Sequence, residues 1–552
     1  MICLPKIATA PRLLLIAAVV LLGVLQAVSL LGLTWLTQTI INTMLNDAGG
    51  FRLSVGGGLL LLVLFGALCR WLERGVAERL GHHYVHEVRL KIFDTLAIQA
   101  GGKEAALPDH RQGVHMVRFS NDLSALRLWV SMGLARLISA GLFFAGVIIA
   151  LSVLSVKVAV AVMCMVILSL AVMALLSTGL ERSVREMRRN RGRLANGVAT
   201  LVFNMSHVVA YGRVPKERKR LLHKSQMLGD SSVRRAFWVG GIRGVTDFFH
   251  RVILFIALVI GAWGIQAGET DVSDLLTILG VAALVGTPLR DLSRVFEYWK
   301  NNLVAREKIA RVLSRAKGRG RANRRLPEGD GELIMKGDIR GLISLPYLTV
   351  SAGQRIVVTG SNGVGKSTLL QAIAGLLPSD SGYMSLDGIE TKDLSYAARR
   401  QGIGIASSQI PLIPGSVSKN IRYRKPSASR EEVAYACDLA GISKALFNFP
   451  EGLKTRVGMF GSGLSDGQTV RVKLARAVLG KPRLLLFDEI ESGLDQAGYD
   501  VLHRLLENYP GTVIYATHDQ RLLRHADRVW LMEDGCLYPK IPEAFTDTGE
   551  KS

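Results

Sequence analysis

Six stretches in the first half of this chain are apolar enough to cross a lipid bilayer as helices, and no other feature limits the fold so strongly. A bilayer core takes roughly 20 predominantly apolar residues in helix, because backbone groups left unpaired in lipid are costly. The stretches lie at about Leu13–Ile41, Val55–Leu72, Leu134–Leu154, Val158–Leu176, within Phe237–Ile265, and at about Leu275–Val285. The last is followed by a more polar helical continuation. Connections alternate in kind. Asn46–Arg52, Ser155–Lys157 and Ala267–Ser273 are short and nearly free of Lys and Arg, whereas Glu73–Gly133 and Gly179–Arg235 are long and polar. The second long segment is strongly basic. Basic segments stay on the cytoplasmic side, so the N-terminus and everything after the sixth crossing are expected there.

Much of the net charge of +23 lies in the second of these segments. Their basic surface would meet anionic lipid headgroups. No basic–aromatic platform or base-reading motif accompanies the charge, which argues against nucleic acid as a partner. The five cysteines are scattered with no CxxC pair, so neither a disulfide framework nor a zinc site is expected. Cys69 and Cys164 sit in apolar runs and are expected to pack as small hydrophobes.

The long polar segments keep apolar residues at helical spacing over His83–Ala97 and Glu181–Val202. They therefore read as membrane helices extended into the cytoplasm, joined by turns near Gly113–Ala125 and His207–Lys216. These turns are the candidates to touch a following domain. The expected organisation is a membrane domain over 1–314, a Gly-, Arg- and Pro-containing linker over 315–331, a soluble α/β domain over 332–542 and a polar tail over 543–552.

In the second half, Gly360–Ser367 reads GSNGVGKS, the full Walker A spacing, preceded by the β run Arg355–Thr359 and followed by a helical pattern from Ser367 to Leu377. Gly360, Ser361, Asn362, Gly363, Val364 and Gly365 would wrap phosphate with backbone N–H groups, helped by the helix N-terminus through Thr368. Lys366 would neutralise the β- and γ-phosphates, and Ser367 would place its hydroxyl on Mg²⁺. Further on, Arg483–Glu489 (RLLLFDE) reads as a buried strand delivering two carboxylates. Asp488 would hold Mg²⁺ and Glu489 would polarise the water attacking the γ-phosphate, since phosphoryl transfer needs positioning above all.

Four further motifs complete a family pattern. Leu464–Gln468 (LSDGQ) resembles the LSGGQ signature of ATP-binding cassette (ABC) proteins, Ser492–Asp495 (SGLD) their D-loop, Ala516–Asp519 (ATHD) their switch motif, and Gln409 their Q-loop glutamine. With six crossings ahead of the cassette, the chain resembles a bacterial ABC exporter half-transporter. The resemblance implies an α-helical membrane domain with long cytoplasmic extensions plus an α/β P-loop ATPase domain with a helical subdomain. It implies ATP and Mg²⁺ as cofactors, and a second copy of the chain, or a different half, as partner. Two cassettes would pair head to tail. Ser465, Asp466, Gly467 and Gln468 of one chain would face the nucleotide on the other, near Asp495. His518 would contact the γ-phosphate, with Lys366, Glu489 and His518 catalytic, and Gln409 would reach Mg²⁺. The implied activity is ATP-driven export or flipping of an amphipathic or apolar molecule, such as a lipid, peptide or secondary metabolite, across the bacterial inner membrane by alternating access. A heterodimeric half or a membrane-bound regulatory ATPase is the alternative.

Three positions depart from the family pattern. Asp466 replaces a glycine of the signature and is expected to reduce or alter turnover. Tyr347 is the nearest aromatic upstream of Walker A and falls too late to stack on adenine. Met459 stands where exporters often carry an acid. In the membrane half, Asp247, His250 and Arg251 read as residues of the cytoplasmic boundary. Gln38 is expected to hydrogen-bond a neighbouring helix, and Gly56–Gly58 and Gly141 to permit close helix packing.

Overall fold

The computed structural model describes residues 4–46, 53–100, 122–314, 323–377, 382–442, 449–458 and 461–540. Met459 and most of the first expected turn, 113–121, lie outside the described residues, as do linker residues 315–322 and the polar tail. The chain divides into two units near residue 317.

The first unit is helical. Its helices are α1 (Ala10–Asn46), α2 (Leu53–Ala100), α3 (Leu123–Leu154), α4 (Val156–Phe203), the short α5 (Met205–Ala210), α6 (Val214–Gln266), α7 (Val272–Leu284) and α8 (Gly286–Ser314). Among the described residues, five helical segments are long and apolar enough to cross a membrane: α1, α3, α4, α6, and α7 running into α8. The second expected crossing forms the start of α2, where Leu60, Leu61, Leu64 and Phe65 are exposed in the same outward pattern as Leu175 on α4 and Phe255 on α6. The extensions are single helices continuous with the crossings, as the helical spacing implied. The 204–214 turn is short, closed by Gly212 at φ 61°.

Polar residues tie the crossings together. Gln38 on α1 donates to Asp274 on α7 at 2.9 Å, the helix-to-helix bond expected of it. His250 meets the Ala283 carbonyl at 3.2 Å, and Asp247 lies 3.8 Å from Arg290, so this cluster fastens α6 to the joint between α7 and α8. Of the expected packing glycines, Gly58 faces Leu36 of α1, 3.5 Å from where a Cβ would stand, but Gly57 and Gly141 do not pack. A methyl group on Gly57 or Gly141 would meet nothing within 4 Å, whereas one on Gly23 would strike Leu142, and one on Gly179 the Trp238 ring. Glycine runs mark close packing only where a neighbour faces them, and spacing alone does not say which face that is. Cys164 is exposed on α4 rather than packed, while Cys69 is buried.

The second unit carries a ten-stranded sheet among the described residues. Its strands are β1 (Leu333–Ile339), β2 (Ile343–Val350), β3 (Arg355–Gly360), β4 (Tyr383–Leu386), β5 (Ile389–Glu390) and β6 (Ile403–Ser407). They continue with β7 (Leu484–Asp488), β8 (Thr512–Ala516), β9 (Arg528–Glu533) and β10 (Cys536–Lys540). The order is β5-β4-β1-β2-β10-β9-β3-β8-β7-β6. From β9 to β6 every neighbour is parallel, and the strands are apolar runs, as a sheet covered on both faces requires. Three further helices matter for the site: α9 (Lys366–Ile373), α10 (Asp466–Val478) and α11 (Gln496–Asn508). Ile356, Val358, Leu369, Ile373 and Trp530 share one core beneath α9.

Candidate functional site: a phosphate-binding edge of the parallel sheet

Parallel strands end on one edge, and ligands of open α/β sheets bind outside those carboxyl ends. Here that edge is formed by β3, β8 and β7. Strand β3 is pinned by the buried Ile356, Val357 and Val358, and Gly360 ends it. Gly360 has φ 148°, and a Cβ there would sit 2.3 Å from the Met532 carbonyl oxygen, so glycine is the residue that fits. The loop through Ser361, Asn362, Gly363, Val364 and Gly365 then turns into α9, with Gly365 at φ 113° and Thr368 in the first helical turn. The expected helix start at Ser367 moves one residue, to Lys366.

Charged and hydroxyl groups converge on this loop. Lys366 is 4% exposed and donates to the carbonyls of Gly360 at 3.0 Å and Ser361 at 3.1 Å. Its Nζ also lies 2.7 Å from Nε2 of His518, which must then be the acceptor, and 3.9 Å from Glu489 Oε1. His518 Nε2 is 3.8 Å from the same carboxylate oxygen. Burial lowers the Lys366 pKa, opposed by the carboxylates of Glu489 and Asp488. Ser367 donates to Asp488 Oδ1 at 2.8 Å, and Ser407 donates to its Oδ2 at 3.0 Å. Burial raises the Asp488 pKa, while these two hydroxyls oppose the rise. A hydroxyl beside a carboxylate is a hard-oxygen set that suits Mg²⁺, which keeps water and phosphate as its other ligands. Glu489 adopts φ 48° and ψ 46°, a left-handed conformation uncommon for a residue with a side chain. Such strain clusters at functional positions.

Other expected residues fall into separate places. Gln409 accepts from Gln371 of α9 at 3.4 Å, beside the loop. The signature forms its own N-terminus. Ser465 caps α10 by accepting from the Gln468 backbone at 3.2 Å, and the Gln468 side chain accepts from the Ser465 backbone at 2.9 Å. That capping box leaves Asp466 exposed in the first turn, where a negative charge favours the helix. Gly467 follows it in the same turn. Asp495 caps α11 through the Gly498 backbone at 2.8 Å and pairs with Arg471 of α10 at 3.1 Å. Tyr347 stands exposed in the middle of β2. Replacing Ser465 by Ala is expected to cost about 1 kcal/mol of cassette stability through loss of the cap. A drop in the temperature at which nucleotide binding is lost would register it, and an unchanged temperature would count against the cap.

Sequence reading missed several contributors. Ser407 holds Asp488 from β6. Lys473 of α10 is buried and donates to the Ser407 carbonyl at 3.1 Å and the Ser408 carbonyl at 3.2 Å. Arg476, one turn on, donates to the carbonyls of Pro411 at 3.1 Å and Ile410 at 3.3 Å. The signature helix thus grips the segment that carries Gln409. Glu491 accepts from the Thr517 hydroxyl, and burial raises its pKa. The i,i+3 pairing of Lys473 and Arg476 on an otherwise apolar face was the available signal.

Comparison with known proteins agrees with this geometry. The family described as ABC transporter transmembrane region matches residues 15–289, and the family described as ABC transporter matches residues 346–492. This chain is an ABC transporter. The transporter is 24% identical over 496 residues to an ATP-dependent lipid A-core flippase of Chromobacterium violaceum, covering 85% of this chain and 82% of the relative. It is 30% identical over 319 residues to the mitochondrial iron-sulfur clusters transporter ATM1 of Chaetomium globosum, covering 55% and 53%. A solved bacterial Atm1-family ABC exporter with ATP bound superposes with TM-score 0.86 at 20% identity, covering 97% of this chain and 96% of that one. The transporter therefore has the exporter fold, a membrane domain joined to an ATPase domain that couples ATP hydrolysis to transport.

Proposed function

We propose that two copies of the transporter pair in a bacterial inner membrane, with both ATPase domains cytoplasmic, and export or flip an amphipathic molecule by alternating access. The observation that carries the ATPase half of this reading is the meeting of Lys366, Glu489 and His518 at the edge of the parallel sheet. Lys366 neutralises the β- and γ-phosphates of ATP, for which charge-assisted bonds are strongest in a buried site. Glu489 takes the proton of the attacking water, and His518 orients it. Ser367, Asp488 and Gln409 would hold Mg²⁺, which supplies charge neutralisation of the phosphates. Ser465, Asp466, Gly467 and Gln468 close the site from the partner copy, with the N-terminus of α10 and its capping box turned to phosphate.

ATP can drive the cycle because its contacts with the second copy exist only in the closed pair. A ligand shifts an equilibrium by its differential affinity alone, and a full switch takes about 5.5 kcal/mol of it. An amphipathic cargo is supported by the membrane unit. A cavity of about 1150 Å³ lies among the polar stretches of α3, α4 and α8, with a wall that includes Arg182, Arg188 and Arg191. That is wide enough to admit a lipid head or a short peptide from the cytoplasmic side. The relative named as a lipid A-core flippase is consistent with such cargo.

Two measurements test this reading. Purified alone in detergent, the chain is expected to run at twice its 60.0 kDa mass after correction for detergent. In inside-out vesicles it is expected to accumulate fluorescent phospholipid or an apolar peptide on ATP addition. A monomer that turns over ATP only when a second, different chain is supplied would replace the homodimer by a heterodimer. ATP turnover with no movement of either cargo would favour a regulatory ATPase.

A further inference from the structure

A second cavity, of about 250 Å³, lies inside the membrane unit between α1, α2, α3 and α8. Its wall on α2 is one helical face, with Arg70, Glu73, Arg74 and Ala77 at i, i+3, i+4 and i+7. Arg136 of α3 and Asp291 of α8 complete the charged lining, with the neutral Ser139 of α3 in the same wall.

Three groups in this lining are incompletely matched. Glu73 is 9% exposed and accepts from Gln26 at 2.7 Å and from the Ser139 hydroxyl, both neutral donors; it has no ion-pair partner among the described residues. Arg136 Nη1 is buried without a hydrogen-bond partner, its nearest acid being Asp291 at 3.5 Å. The Ser131 hydroxyl is likewise buried and unpartnered, on the π-helical stretch Trp129–Leu134 of α3. Such stretches recur at functional sites. A buried carboxylate lacking a cation and a buried hydroxyl lacking a partner each carry a desolvation cost. The lining lies at the expected cytoplasmic ends of the second and third crossings, where cargo would enter the bundle.

We infer that this cavity seats the head of the transported molecule, and that the head is a zwitterion, with an ammonium set against Glu73 and a phosphate or carboxylate set against Arg136 and the Ser131 hydroxyl. Three arginines against two acids leave the lining net positive, so the anionic group is the more strongly held. The inference rests on the transport reading above and adds the cargo's charge pattern. A phosphoethanolamine lipid and a free-ended apolar peptide share that pattern.

The test is displacement of lysophosphatidylethanolamine that carries a dansyl group at the end of its acyl chain, its ammonium left free, from the full chain in phosphatidylglycerol nanodiscs. Competitors are lysophosphatidylethanolamine, dileucine, lysophosphatidylglycerol (anion only) and dodecylammonium (cation only). Both zwitterions, or one of them, should compete at least about tenfold better than either single-charge probe, a difference worth about 1.4 kcal/mol. Whichever zwitterion wins identifies a lipid or a peptide source. Glu73→Gln should weaken the ammonium-bearing probes roughly thirtyfold and leave lysophosphatidylglycerol unchanged, and Arg136→Gln should do the reverse for dodecylammonium. The selective pattern also shows that each variant is folded. Equal competition by all four probes, no binding of the dansylated probe, or variants that weaken all four alike would overturn the inference. ATP turnover by the same nanodiscs is read separately, so a failed site and a failed transport reading are told apart.

Discussion

Glu489→Gln is expected to lower ATP turnover by about 10²–10⁴-fold, the range a positioned general base contributes, while nucleotide binding changes by less than a few-fold. Gln keeps the shape of Glu and can hold the same left-handed backbone, with the Glu489 amide still donating to the Ala516 carbonyl at 3.1 Å. What it loses is basicity. The neighbours at 3.9 Å and 3.8 Å, Lys366 and His518, keep their places, so phosphate contacts persist. Turnover in nanodiscs and binding of a fluorescent ATP analogue measure the two quantities side by side. Turnover within threefold of the parent would remove Glu489 from the base role and leave Glu491 and His518 as the groups to test next.

Trp530→Ala carries the largest expected cost in stability. Trp530 is 1% exposed at the centre of β9, paired with Val358 of β3 on one side and Pro539 of β10 on the other. It fills the core under α9 together with Ile356, Leu369 and Ile373. Truncating a buried Trp costs about 3–5 kcal/mol. The two units preclude a single two-state transition for the whole chain, so the useful readout is the temperature at which nucleotide binding is lost. A fall on the order of 10 °C is expected. The same strand carries the Met532 carbonyl against which Gly360 packs, so affinity for ATP should fall with stability. A variant with unchanged heat tolerance would show that the core under α9 collapses around the gap.

Much of this was legible in the sequence because it is local. The loop from Gly360 to Ser367 is contiguous, and its flanking strand and helix announce themselves by apolar pattern. The crossings are long apolar runs, and their extensions keep helical spacing. Gln38 stood out as a polar residue in an apolar helix, and its partner Asp274 is found on α7. What escaped is set by contacts between distant residues. Ser407 reaches Asp488 across 81 positions, Lys473 reaches Ser407 across 66, and Ser139 reaches Glu73 across 66. No spacing rule connects such pairs before the sheet order and helix neighbours are known. The capping box in LSDGQ is different, since Ser465 and Gln468 are three apart and follow a known signal. It explains why a charged Asp466 is tolerated in the first turn of α10. Gly141 shows the converse, a small residue whose apparent purpose vanished once its surroundings were open space.

The grip of Lys473 and Arg476 on 407–411 has one more consequence. If the N-terminus of α10 senses nucleotide on the partner copy, its middle is fastened to the segment whose Ser407 hydroxyl holds Asp488 at the chain's own nucleotide. In the proposed pair each chain would link one bound ATP to the other like a crossbar, and two chains would close the linkage into a ring. Under the proposed pairing, filling one pocket would set the position of the carboxylate in the other, so a steeper than hyperbolic response to rising ATP is expected, and severing the crossbar at Lys473 is expected to leave two pockets that fill without regard to each other.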